Sequence, residues 1–195
     1  MNMLIQWTYP KSKTLMPNNY LLTGQPRCGK STLLERIVAE IPQKQGFLTK
    51  EMLSRSKEKF NVSQRTGFVV VGNGNPVCTL AHVDFKTDFE VSKYYVDVQG
   101  FEWALPPFFQ YAPEQLLYLD EIGQMQLFSP TFKKLVRNYL DAPNLFLGTL
   151  SAVYHDNFTK TLRRRSDVII LEITPSNRED MFHELYEIAQ KHTPT

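Results

Sequence analysis

The sequence predicts an α/β fold, doubly wound around a mainly parallel central sheet, and three observations predict it. Leu116 to Asp120, Leu145 to Gly148 and Val168 to Ile173 are short, nearly continuous apolar runs, the pattern of strands buried on both faces. Segments with helical spacing of apolar residues separate these runs. A fourth apolar run, Tyr20 to Thr23, leads through a glycine-containing loop into a further helical pattern, the strand-loop-helix order of a parallel unit.

The elements follow in order. Residues 1–18 are polar, contain Pro10 and Pro17 and lack a period; they are expected to form an N-terminal extension to a single domain over 19–195. Leu33, Leu34, Ile37, Val38 and Ile41 predict a helix over Lys30 to Ile41. Gly46 to Thr49 reads as a second strand. Gly67 to Val71 and Val77 to Val83 flank Gly72-Asn73-Gly74-Asn75-Pro76, a hairpin signal, and the three strands together suggest an antiparallel flap. Thr131 to Leu140 is a helix. The last helix is expected from Ser176 to about His192, with Ser176-x-x-Glu179 as a capping box and Met181, Leu185 and Ile188 on one stripe.

Composition narrows the classes of function. With 195 residues, 42% of them hydrophobic and 22% charged, the chain can bury a substantial core as one domain. Lys and Arg number 22 against 20 Asp and Glu, so the net charge of +2 argues against strong DNA binding through neutralised phosphates. No apolar run approaches the roughly 20 residues that cross a bilayer, and the N-terminus lacks a secretory pattern. Two cysteines, Cys28 and Cys78, are too few for a disulfide framework, so a cytoplasmic location is expected. His82, His155, His183 and His192 have no ligand-like spacing.

Gly24-Gln25-Pro26-Arg27-Cys28-Gly29-Lys30-Ser31, followed by Thr32, fits G-x-x-x-x-G-K-[ST] directly between strand and helix. The chemistry explains the residue types. Glycines permit a tight turn and close approach of main-chain N–H groups to phosphate oxygens. Those groups and the helix N-terminus form an anion nest. Lys30 brings a full charge to the β and γ phosphates, and Ser31 offers a hydroxyl to Mg²⁺. The ligand implied is ATP, GTP or another nucleoside triphosphate with Mg²⁺, in a three-layer P-loop NTPase fold. Arg27 either adds charge to the phosphates or extends into solvent. Cys28 is either an activated thiol beside a lysine or a small loop residue.

Leu116-Leu117-Tyr118-Leu119-Asp120-Glu121 is an apolar strand ending in two carboxylates. Asp120 suits the Mg²⁺ role, and Glu121, on the other side of the strand end, suits a general base for water attacking the γ-phosphate. Arg163-Arg164-Arg165 holds a candidate for neutralising transition-state charge, assigned to Arg164; a solvated basic face is the alternative. Asn177 and Arg178, after the last strand, are candidates for contact with the base, or plain first-turn residues.

From about Tyr20 to about Asp180 the chain resembles the nucleoside-triphosphatases first described from thermophiles and represented in animals by the cancer-related nucleoside-triphosphatase. The likeness rests on the phosphate loop, Gly46-Phe47-Leu48-Thr49, Arg65-Thr66-Gly67-Phe68, Tyr94-Tyr95-Val96-Asp97-Val98 with Phe101-Glu102, and Asp120 to Phe128. It continues through Gly148-Thr149, Arg163 to Arg165 and Thr174-Pro175-Ser176-Asn177-Arg178. The resemblance implies an additional strand between the two nucleotide-binding strands and slow, Mg²⁺-dependent hydrolysis of several triphosphates to diphosphate and phosphate. By position it carries over Gly24 to Ser31 as phosphate binders and Asp120 and Glu121 as the magnesium and water-activating pair. Two departures stand out. Arg27 occupies the place of the family's middle loop glycine, and Gln124 and Gln126 stand where Lys and Glu are common.

Three readings follow: a nucleoside-triphosphate hydrolase; a kinase acting on nucleosides, nucleotides or polynucleotide ends with the same loop; and a nucleotide-dependent switch that binds an RNA or protein partner.

Overall fold

The computed structural model describes residues 18–54 and 64–193. Apart from Asn18, the extension expected at 1–18 lies outside them. A nine-stranded sheet runs through the domain in the order β5-β6-β4-β3-β2-β7-β8-β1-β9, built from β1 (Asn19–Thr23), β2 (Lys44–Ser54), β3 (Gln64–Gly72), β4 (Asn75–His82), β5 (Glu90–Val91), β6 (Tyr94–Val96), β7 (Leu116–Ile122), β8 (Phe146–Leu150) and β9 (Val168–Glu172). β2, β7, β8, β1 and β9 are mutually parallel; β2, β3, β4, β6 and β5 pair antiparallel. The additional strand is present: β8 stands between β1, which feeds the phosphate loop, and β7, which ends in Asp120 and Glu121.

Side-chain alternation explains why the parallel runs are apolar throughout. In β7, Leu117 and Leu119 point into one core, and Leu116 and Tyr118 into the other. In β1, Leu21 faces the first core, Tyr20 and Leu22 the second. The second core lies under α1 (Lys30–Glu40) and α6 (Arg178–His192). The first lies under α2 (Val98–Ala104), α4 (Pro130–Leu140) and α5 (Asn157–Arg164), with the single turn α3 (Gln124–Leu127) at its rim.

The hairpin forms where Asn73-Gly74 signals it: both residues have positive φ, 50° and 80°, the geometry of a two-residue turn matched to strand twist. The flap is not a separate unit, however. Gln45 to Phe47 of β2 also pair with Leu117 to Leu119 of β7, so the antiparallel strands prolong the central sheet. β2 is also much longer than expected, and its outer end rises with β3 as a wall above the C-terminal edge of the parallel strands.

The capping box expected at Ser176 does not form. The helix starts at Arg178 with Asn177 as its cap and no side-chain capping bond. Glu179 instead makes a bidentate pair with Arg36 of α1 at 2.8 and 3.0 Å, because that carboxylate gains a guanidinium partner on the neighbouring helix. The capping box lies on α5, where Asp156 accepts from Thr159 N at 2.7 Å and the Thr159 hydroxyl lies 2.9 Å from Asp156 N.

Candidate active site

The C-terminal ends of β1, β7 and β8 converge on the phosphate loop. Gly24 has φ 140° and an added Cβ would come within 2.4 Å of the Ile173 carbonyl oxygen, so main chain passes main chain there with no room for a side chain. Arg27, in the place of the family's middle glycine, keeps a left-handed φ of 65°. The cradle therefore retains a glycine-like bend although a side chain stands on it, and that side chain is exposed. Cys28 is buried as a small loop residue packed in the second core, and Gln25 is exposed.

Lys30 is largely buried, at 9% exposure, and its ammonium donates to the Gly24 and Gln25 carbonyls at 2.9 and 3.0 Å. Ser31 donates to Asp120 Oδ1 at 2.8 Å, and Thr149 of β8 donates to the same oxygen at 2.5 Å. A third hydroxyl, that of Thr49 on β2, donates to the main-chain oxygen of Asp120 at 2.5 Å while accepting from Gln126 Nε2 at 3.2 Å. The carboxylate strand end is thus held from the first turn of α1, after the phosphate loop, and from both neighbouring strands. Sequence reasoning singled out Ser31 and Asp120 but not Thr49, Thr149 or Gln126 as their support; the Gly46 to Thr49 and Gly148-Thr149 blocks were the available signal.

Burial pushes the Asp120 carboxyl up from the ordinary carboxylate range, against the hydrogen bonds from Thr149 and Ser31 and the charge of Lys50. Burial and then the neighbouring Asp120 push Glu121 up as well, with Lys30 opposing. Two adjacent carboxyls, the buried Asp120 clamped by hydroxyl donors and the partly buried Glu121 beside it, form a site that positive charge would relieve. A carboxylate and a hydroxyl 2.8 Å apart are hard oxygen donors of the kind Mg²⁺ takes alongside water and phosphate oxygens, so the residues fit that ion.

A cleft of about 1020 Å³ runs from the loop past Asp120, Glu121 and Gln124 to Lys50 and Arg65 on the β2–β3 wall. Gly24, Pro26, Arg27, Gly29, Lys30, Ser31 and Thr32 form its near side. Arg178 lies against the loop: a Cβ on Gly29 would meet its Cδ and Nη1 at 2.8 Å. Asn177 is occupied within its own turn, accepting from Thr174 N at 2.8 Å and donating to the Glu172 carbonyl at 2.9 Å. The structure does not bring Arg164 to these residues; it is exposed in the last turn of α5. Its neighbours are engaged elsewhere, Arg163 with the Ser151 carbonyl at 2.9 Å and Arg165 with Asp141 and Asp167 at 2.8 and 2.7 Å.

A family model described as NTPase matches residues 19–186. The chain belongs to this NTPase family. Among its relatives, nucleoside-triphosphatase THEP1 of Thermotoga maritima is 31% identical over 174 residues, covering 87% of this chain and 94% of that protein. The human cancer-related nucleoside-triphosphatase is 28% identical over 193 residues, covering 90% and 98%. The crystal structure of THEP1 from Aquifex aeolicus superposes with a TM-score of 0.75 at 28% identity, covering 88% of this chain and 99% of that one. The P-loop NTPase fold read from the sequence is the fold of this family, and the chain is accordingly a hydrolase. Among the described residues no helix is long and apolar enough to cross a membrane.

Proposed function

We propose that the chain hydrolyses nucleoside triphosphates to diphosphate and phosphate, slowly, with Mg²⁺ and with broad acceptance of bases, in the cytoplasm. The observation that carries this reading is the convergence, at one end of the cleft, of the Lys30 loop with the clamped Asp120 and the partly buried Glu121. Main-chain N–H groups of the loop from Gly24 to Thr32 bind the phosphates. Lys30 leaves the loop carbonyls for the β and γ phosphates, exchanging two neutral acceptors for a polyanion. Ser31 and Asp120 are the residues that would hold Mg²⁺, which when bound neutralises phosphate charge. Glu121 orients a water in line with the γ-phosphorus and takes its proton as the bond to the β–γ bridging oxygen breaks.

Breadth of base acceptance is supported by the rim. Asn177 spends both ends of its amide on its own turn, which leaves Arg178 to meet the base by stacking, a contact every base can make. Slow turnover is supported by Arg164, whose place on α5 keeps it out of the cleft, since a well-placed arginine adds about 10³ to 10⁵ to such rates. The test is phosphate release from purine and pyrimidine triphosphates with and without Mg²⁺. Release from several triphosphates that stops on chelation is the expected result; no release from any of them overturns the proposal.

A further inference from the structure

The cleft continues beyond the phosphate loop in one direction, toward β2 and β3. Neither Asn177 nor Arg178 is among the residues lining it; the volume extends from the phosphate loop past Glu121, the residue assigned to water activation in the proposed hydrolysis, to the β2–β3 wall. At about 1020 Å³ it reaches the top of the range for small-molecule sites, and this volume takes in the space over the phosphate loop as well as the space before the far wall. The far wall is chemically distinct from the loop. Phe68, Val91 and Met125 give it a partly buried apolar surface. Arg65 stands on that surface, held by its Nε–H to the Tyr94 hydroxyl at 3.0 Å and by Glu51, with its guanidinium over the Phe68 and Tyr94 rings at 5.2 and 5.8 Å. Lys50 is neutralised by Glu35 and Arg65 by Glu51, so the wall carries no net charge to attract a polyanion. An apolar floor beside a guanidinium fixed in orientation suits a neutral molecule with a flat, hydrogen-bonding ring.

We propose that this far half of the cleft is an acceptor subsite, and that the chain also passes the γ-phosphoryl group to a hydroxyl of a nucleoside-class compound, a sugar carrying a heteroaromatic ring. The inference rests on the triphosphate reading of the same loop. The acceptor oxygen forms the new bond to γ-phosphorus and the bond from γ-phosphorus to the bridging oxygen breaks. The electron pair stays on that oxygen in the departing nucleoside diphosphate. The hydroxyl proton passes to the Glu121 carboxylate and from there to solvent. Ring contacts with Phe68 and Arg65 seat the acceptor and exclude the water that otherwise reacts.

The test supplies γ-labelled triphosphate and Mg²⁺ to the full chain with each of a panel of purine and pyrimidine nucleosides, and follows label in free phosphate and in nucleoside monophosphate. Label in a monophosphate, with a matching fall in free phosphate, is expected for at least one nucleoside. Arg65→Ala changes a half-exposed residue and should lower transfer about tenfold, the loss for one hydrogen bond to a charged group, while hydrolysis without acceptor is unchanged. Phe68→Leu, which keeps an apolar side chain, should behave in the same way. Phosphate release with no transfer to any nucleoside overturns the acceptor proposal and leaves the hydrolase reading standing; no turnover of any kind overturns the hydrolase reading itself. A raised KM for the triphosphate in Arg65→Ala without acceptor also overturns it, because the far wall would then hold the substrate's own base.

Discussion

The Ser31 hydroxyl lies 2.8 Å from Asp120 Oδ1, joining the first turn of α1 to the end of β7 across 89 residues of chain. Thr149 reaches the same oxygen at 2.5 Å from β8, so the strand inserted between β1 and β7 contributes a donor as well as spacing. Two hydroxyl donors favour the charged form of this buried carboxylate, opposing the desolvation that pushes it up. Thr149→Val, nearly isosteric, removes one of them. It should cost about 1 to 2 kcal/mol of stability and raise the Mg²⁺ concentration needed for half-maximal phosphate release several-fold. An unchanged Mg²⁺ titration would mean that Thr149 does not position Asp120.

Lys30 and Glu121 separate binding from chemistry. Lys30→Ala removes the ammonium proposed to meet the phosphates but no part of either apolar core, so phosphate release should be abolished while the fold is retained. Glu121→Gln keeps shape and hydrogen bonding without a base, and should slow hydrolysis by about 10² to 10⁴ with nucleotide and Mg²⁺ binding retained. Equal losses of binding and rate in Glu121→Gln would assign that side chain to structure.

The Thr49 hydroxyl bridges two buried partners: it accepts from Gln126 Nε2 and donates to the Asp120 main-chain oxygen. Thr49→Val leaves both groups without a partner and should cost about 1 to 3 kcal/mol, whereas Thr49→Ser restores the hydroxyl and most of the stability. Denaturant midpoints of the two variants decide it. A Val variant as stable as the Ser variant would show that the bridge contributes nothing.

Much of this arrangement was legible because its signals are local. The loop from Gly24 to Ser31, the carboxylates at the end of an apolar run and the Asn73-Gly74 turn each depend on residues adjacent in sequence. What escaped reading depends on register. Thr149 stands one residue past the run Leu145 to Gly148 that reads simply as a buried strand, and only the pairing of Leu117 with Phe146 brings its hydroxyl to Asp120. Glu179 has the spacing of a capping box, yet a partner on α1 claims it. The three arginines look alike in sequence, but the descent of α5 carries Arg165 to the far edge of the sheet and leaves Arg164 in solvent. Pattern reveals which face is buried; pairing across the sheet decides which polar groups meet.

Glu102 gives the fold an acid-sensitive joint. Its carboxylate accepts from the Ser129 hydroxyl at 2.7 Å and from Thr131 N at 3.0 Å, tying α2 to the capped start of α4, and the Ser129 bond first and the Thr131 bond second hold it below the ordinary glutamate range. A carboxyl with a depressed folded-state value contributes stability that is fully present above the unfolded value and is lost as pH falls through the folded one. Stability should therefore decline with acid below the usual glutamate range. Glu102→Gln should be less stable near neutrality and show a shallower decline, measured as denaturant midpoint against pH. Parallel curves for the two proteins would exclude the joint.

Gly29 caps α1 at φ 103°, and Arg178 packs where its Cβ would be. Two effects therefore meet in Gly29→Ala: left-handed backbone strain of about 1 to 2 kcal/mol, and displacement of the Arg178 side chain from the phosphate loop. Only the second involves Arg178, so a double-mutant cycle separates them. Arg178→Ala alone should weaken triphosphate binding with little change in stability, because its guanidinium is partly exposed and only 3.8 Å from Glu179 as an ion-pair partner. In Arg178→Ala the alanine at 29 has nothing to displace, so its remaining cost is the strain alone. The cycle should show non-additivity in nucleotide affinity and near-additivity in stability. Strict additivity in affinity would mean that Arg178 reaches the nucleotide independently of the loop it lies against.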